Sequence, residues 1–287
     1  MQCRLVIVTF AFMMAAMMIQ PGAGMAQELP DELPTYLRDR GTGIPVSIFG
    51  TYVRPGELLI YPFYEYYHDD DLEYKPSEFG YELDQDFRGR FRAHEGIFFV
   101  GYGISDKIAV EVEAGIIDAK LQKSPEDMSR MPAEIKESGL SDVEGQIRWR
   151  WNHESAKTPE YFSYFLAVLP TGKENSLIGT SDWELKLGAG LIKGLGWGTI
   201  TPSVAVEYAA SEKTYAFAYG LEYLKRLSNH FRLFAMIEGT QDEAALIPEI
   251  QWHFNRHVFL KVNNGFGLTS KAVDMAPEIG VMLSLWP

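Results

Sequence analysis

Between Asp142 and Trp151 polar and apolar residues alternate without a miss: Asp142, Glu144, Gln146, Arg148 and Arg150 against Val143, Gly145, Ile147, Trp149 and Trp151. A β-strand sends successive side chains to opposite faces, so this run has one polar face and one apolar face, a separation no helix could produce. The same rhythm returns at 182–191, where Asp182, Glu184 and Lys186 alternate with Trp183, Leu185 and Leu187, and again at 246–254. Weaker copies fill the spaces between. The pattern predicts strands near 58–67, 87–103, 107–120, 140–151, 160–169, 182–193, 199–208, 214–226, 231–239, 245–254, 258–268 and 275–286. Strand 87–103 is long, and its Arg88-Arg90-Arg92-His94 face loses phase near Glu95-Gly96, which predicts a bulge there. Pro62, Pro202, Pro248 and Pro277 lie inside strands although proline cannot donate to a ladder.

Alternation alone fits a soluble sandwich as well as a membrane barrel. Three features favour the barrel. Strands of about ten residues, tilted by about 40°, cover roughly 25 Å, the height of an outer-membrane apolar band. Connections also alternate in length, with 68–86, 121–139 and 170–181 on one side and tight turns such as Ser105-Asp106 and Ser228-Asn229-His230 on the other. A barrel with long extracellular loops and short periplasmic turns has that parity. Aromatic residues (Trp149, Trp151, Trp183, Tyr208, Tyr223, Trp252 and Phe254) collect at strand ends on the apolar face, as in the girdles at membrane–water interfaces. The fold class read from the sequence is therefore all-β, a transmembrane antiparallel up-and-down barrel of about 12 strands.

The N-terminus sets the compartment. Arg4, the apolar run Leu5–Ile19, the Pro21-Gly22 break and small residues at Gly24 and Ala26 have the layout of a secretory signal peptide cleaved after residue 26. Fifteen apolar residues are short for a spanning helix. Residues 27–57, with Pro30, Pro34, Pro45 and Pro55, read as an irregular lead-in that stays periplasmic or inserts as a plug, and 58–287 as the barrel domain. The one cysteine, Cys3, lies in the signal, so the exported part has no disulfide framework, thiol nucleophile or cysteine metal site. A net charge of −13 excludes wrapping nucleic acid.

Residues 138–172 carry a closer likeness. Ser138-Gly139-Leu140-Ser141-Asp142-Val143, an alternating strand, and a second strand closing on Leu169-Pro170-Thr171-Gly172 resemble the phenol meta-cleavage-pathway (MetA-like) family of bacterial outer-membrane transporters. Those proteins show Gly-x-Gly-Asp entering one strand and Pro-Thr-Gly closing the next; here Ser141 stands for the second glycine. The resemblance implies a barrel that passes small hydrophobic or aromatic compounds. The ending Leu283-Ser284-Leu285-Trp286-Pro287 resembles the outer-membrane assembly signal, with a proline after the aromatic. It implies the barrel-assembly machinery as a partner, alongside outer-membrane lipid.

On this reading the polar faces line the lumen. The candidate lining and substrate-binding residues are Arg88, Arg90, Arg92, Glu111, Glu113, Glu144, Arg148, Arg150, Glu184, Lys186, Glu249 and His253. Both signs are mixed, so the interior forms either a salt-bridged plug or an ion-selective pore. The Arg88-Arg90-Arg92 ladder could draw an anionic substrate. Glu111 and Glu113, about 7 Å apart on one face, have a spacing that glycoside hydrolysis can use, but lumen walls carry such neighbours without chemistry. His68-Asp69-Asp70-Asp71 lacks the spacing of a helix–loop–helix calcium site and reads as a solvated loop. Residues 124–137 open with a helix N-cap at Ser124 and a proline. No Gly-x-Ser-x-Gly or His-Glu-x-x-His is present. The expectation is a non-enzymatic barrel without a metal or cofactor: a passive channel or transporter for small molecules, or a closed structural or surface-interaction barrel.

Overall fold

The computed structural model describes residues 33–172, 177–179, 182–210 and 213–286; the signal-peptide expectation falls outside them. A small hairpin, β1 (Ile44–Pro45) with β2 (Tyr52–Val53), comes first. Then follow β3 (Leu58–Tyr74), β4 (Phe87–Gly103), β5 (Ile108–Gln122), β6 (Glu134–Leu140), β7 (Val143–Asn152), β8 (Glu160–Leu169), β9 (Glu184–Leu195) and β10 (Gly198–Ala209). The chain continues through β11 (Thr214–Arg226), β12 (Phe231–Gly239), β13 (Ala244–His253), β14 (Val258–Gly267) and β15 (Met275–Leu285). From β3 onward every pairing is antiparallel, and β15 returns to pair with β3, which closes the sheet on itself. Closure removes the unpaired edges that a bilayer could not solvate.

β6 and β7 share one place in the wall. Leu140 of β6 pairs with Ile116 high on β5, and Glu144 of β7 pairs with Glu113 below it. The break between them is stitched by Ser141, whose N–H donates to the Gly115 carbonyl (2.9 Å) and whose Oγ accepts from the Gly115 N–H (2.7 Å). The result is a closed barrel of twelve strand positions. Long connections gather on one rim, called upper here, and tight turns on the lower rim.

Outside, the apolar residues of the alternating pattern stand bare. Leu187 is 63%, Ile250 56%, Leu221 50% and Ile279 49% exposed, on strands spread around the barrel. A continuous exposed apolar belt is what lipid requires and what water would penalise. Aromatic pairs border it: Trp149 with Trp151 (ring centroids 5.3 Å apart) and Trp252 with Phe254 (4.7 Å) at the lower rim, Tyr208 with Tyr215 (4.9 Å) at the upper.

Three local expectations need correction. β3 runs on to Tyr74, and β6 occupies residues expected to be loop. The charged run 68–73 is held as strand because the facing strand supplies its counter-charges: Arg92 Nη2 lies 2.6 Å from Asp70 and Arg88 Nη1 2.9 Å from Asp71. No helix forms over 124–137; the loop is tied instead by Lys123, whose Nζ donates to the Ser129 and Met131 carbonyls at 3.0 Å each. β4 pairs without a break through Glu95-Gly96, and the irregularity lies in β3 between Asp69 and Leu72.

Candidate functional site

The lumen is divided into a floor and a chamber above it. The floor is the lead-in, residues 33–57, which enters from the lower rim and crosses the bore. Its apolar residues Ile44, Val46 and Val53 pack in one cluster with inward-facing Leu59, Tyr61, Phe63, Phe99, Phe259 and Met282 of the wall. The hairpin tip at Gly50 has φ +58°, and a Cβ there would sit 2.9 Å from Phe234 and 3.0 Å from Gln251. Only glycine meets both demands.

Charged contacts fasten the floor. Arg40 Nη2 lies 2.8 Å from Glu160 and 3.1 Å from Glu154, with all three side chains 1% exposed or less. Burial pulls the Arg40 guanidinium down, but Glu160, Tyr52 and Glu154 together outweigh it and hold the pKa above the ordinary value. Arg150 pairs with the other oxygen of Glu160 (2.9 Å) and donates to the Thr42 and Gly43 carbonyls of the lead-in. Glu111 is shared between Arg148 (3.1 Å) and the Ser47 backbone N–H (2.7 Å). Across the bore Lys261 lies 3.4 Å from Glu249 and donates to the Phe49 carbonyl at 2.7 Å. A buried ion without a partner costs several kcal/mol, so these residues hold the segment as a set.

Above the floor lies a chamber of about 570 Å³. Ser47, Ile48 and Phe49 form its base, and Phe63, Tyr67, Ile97 and small residues such as Ala245, Gly265 and Ala276 form part of its wall. Among the described residues its lining includes eight glutamates and one lysine, Lys186, which pairs with Glu207 at 2.6 Å. A side cavity of about 360 Å³ adjoins it at the β6–β7 break and is also lined by Glu95, Glu113 and Glu144. Leu177 and Ile178, from the β8–β9 connection, cap this side: Ile178 is 3% exposed and packs on Ala93 and Ala119.

The structure places the candidate lining residues on two faces. Glu111, Glu113, Glu144, Arg148, Arg150, Glu184, Lys186, Glu249 and His253 share the inward phase of their strands. Of these, Glu111, Arg148, Arg150 and Glu249 belong to the floor's fastenings, whereas Glu113, Glu144 and Lys186 line the chamber. His253 stacks on Phe259, centroids 4.4 Å apart. Arg88, Arg90 and Arg92 stand on the outer face, in phase with Phe98 and Tyr102, while the alternate residues Gly89 and Ala93 are buried inside. Near them His68, Asp70 and Asp274 bring ligand-type atoms within 4.8 Å of one another, but Arg92 already holds Asp70.

Residues overlooked in the sequence are Arg40, Glu154, Glu160, Glu65 and Glu95. The first three lie in the lead-in, a turn and a strand's first position, where alternation carries no information. Glu65 stands in phase with the apolar residues Leu59, Tyr61 and Phe63, and Glu95 with Ile97 and Phe99, so alternation did not mark them as lumenal.

No family model and no characterised protein matches the sequence. Among solved structures, the chain is similar to the COG4313 outer membrane channel from Pseudomonas putida F1, with a TM-score of 0.63 at 13% identity over 84% of this chain and 99% of that one. It is also similar to the translocator domain of the autotransporter NalP from Neisseria meningitidis, with a TM-score of 0.53 at 13% identity over 79% of this chain and 88% of that one. Likeness at this identity establishes the fold, an outer-membrane type of β-barrel.

Proposed function

We propose that the chain resides in a bacterial outer membrane, after export and signal cleavage, and gives small molecules a passive route across it. One observation carries this reading: a chamber of about 570 Å³ inside a lipid-facing barrel, within the range of roughly 300–1,000 Å³ usual for small-molecule sites. The fold shared with a protein described as an outer membrane channel supports it, as does the likeness of 138–172 to the phenol meta-cleavage-pathway transporters. Phe63, Tyr67 and Ile97 in the lining suit a substrate with an apolar or aromatic body. The lead-in acts as the gate, since transport past it requires its release from the wall. The reading assigns no enzymatic role.

The second reading, a closed structural barrel, is favoured by the ion-paired floor itself, whose contacts with Glu160, Glu111 and Glu249 leave it seated. Liposome swelling with neutral solutes of graded size separates the two. Uptake of the smaller solutes by vesicles carrying the refolded full chain supports the channel. Swelling no faster than in empty vesicles, for all solutes and with the floor contacts mutated, supports the closed barrel.

A further inference from the structure

The chamber's charge is lopsided in a way the fold does not balance. Glu278 of β15 pairs in register with Glu65 of β3, and Glu65 pairs in register with Glu95 of β4, so three carboxylates stand in one cross-strand row facing the lumen. Like charges directly opposite one another destabilise a sheet. Glu278 is 8% exposed; its hydrogen bond comes from Tyr61 Oη at 2.5 Å, and no lysine or arginine of the described residues pairs with it. Glu113 of β5 faces Glu144 of β7 in a second like-charged pair on the adjoining wall. The basic residues that could have neutralised these groups are engaged lower down, Arg148 with Glu111 and Lys261 with Glu249, and Lys186 holds Glu207. The arginine ladder that could have drawn anions is on the outer surface.

A cavity with this wall favours positive charge, because carboxylates crowded in a low-dielectric space need protons or a cation between them. Phe49, Phe63 and Tyr67 line the same chamber, and aromatic faces attract cations as well as apolar groups. We propose that the chamber receives small organic cations, an ammonium group carried on an apolar or aromatic body, in preference to anions of the same size. This rests on the channel reading above and names its substrate class.

Isothermal titration calorimetry on the refolded full chain in detergent at pH 8 tests it with two probes of similar size, benzyltrimethylammonium and benzenesulfonate. The expected result is binding of the ammonium probe, no measurable binding of the sulfonate, and a loss of about ten-fold in ammonium affinity in a Glu65→Gln/Glu95→Gln/Glu278→Gln variant. Should that variant fail to fold, Glu113→Gln/Glu144→Gln on the adjoining wall reads the same loss. Sulfonate binding equal to ammonium binding, no ammonium binding, or affinity unchanged in the folded variants overturns the proposal. Flux through vesicles is measured apart: binding without flux removes the channel reading alone, and flux without charge preference removes this inference alone.

Discussion

Arg40 and Glu160 meet at 2.8 Å, each about 1% exposed, and join the non-barrel lead-in to the first residue of β8. Replacing Arg40 with methionine leaves Glu154 and Glu160 buried with one cation fewer. Breaking a buried pair in this way costs about 3–5 kcal/mol. Because Arg40 belongs to the floor and not the wall, that cost falls on seating of the lead-in. The expected outcome is faster hydrogen exchange across 38–53, with the folded barrel still resisting SDS below boiling. Unchanged exchange in 38–53 would show that the pair does not hold the floor.

Gly50 gives a test of the same segment by shape alone. Its left-handed backbone costs a residue with a side chain roughly 1–2 kcal/mol, and a Cβ would collide with Phe234. Gly50→Val is predicted to lift the hairpin tip off Phe234 and Gln251 and raise small-solute uptake in the swelling assay. Gly41, whose Cβ would meet nothing, has the same kind of backbone (φ +81°) without the contact. Gly41→Ala therefore carries the strain alone, and equal effects from the two variants would argue against a seated tip.

Relief of like charge should stabilise. Glu65→Gln removes the central member of the Glu278–Glu65–Glu95 row, and the variant is predicted to gain about 0.2–1 kcal/mol in urea unfolding from lipid vesicles. A loss of stability would mean that the contacts Glu65 makes outweigh the repulsion within the row.

Orientation of the wall has its own test. Ile279, near the middle of β15, points to lipid and is 49% exposed, so Ile279→Arg is predicted to cost about 2–4 kcal/mol in a bilayer. Arg90→Gln, on the outer face of β4 above the apolar belt, is predicted to leave both stability and ion selectivity unchanged. A selectivity change on replacing Arg90 would put that residue back in the ion path.

Much of the barrel was legible because lipid imposes a simple rule: apolar residues out, period two, repeated. That rule found the strands and placed Glu113, Glu144, Arg148 and Arg150 on one wall. It misassigned Arg88, Arg90 and Arg92 because the rule inverts above the membrane. There the outer surface meets water, and the inner surface closes on a small core of Tyr74, Leu121 and Met131 with Phe87 and Phe91 packed against it. Alternation reports two faces and not which is inside, so only burial on the closed barrel separates the cases. The floor left a trace that alternation alone did not interpret. Leu59, Tyr61, Phe63, Phe99, Phe259 and Met282 are apolar in the inward phase, which a water-filled bore would not need, and the lead-in is what they pack against. Arg40 to Glu160 spans 120 residues, a separation at which no local pattern in the sequence signals a contact.

The most direct measurement is single-channel recording of the refolded full chain in a planar bilayer, set beside its Arg40→Met variant. A gated channel predicts discrete conductance steps that become more frequent or larger when the lead-in is loosened. Silent bilayers from both proteins, with each shown to be folded by heat-modifiable migration, would contradict a route through the barrel.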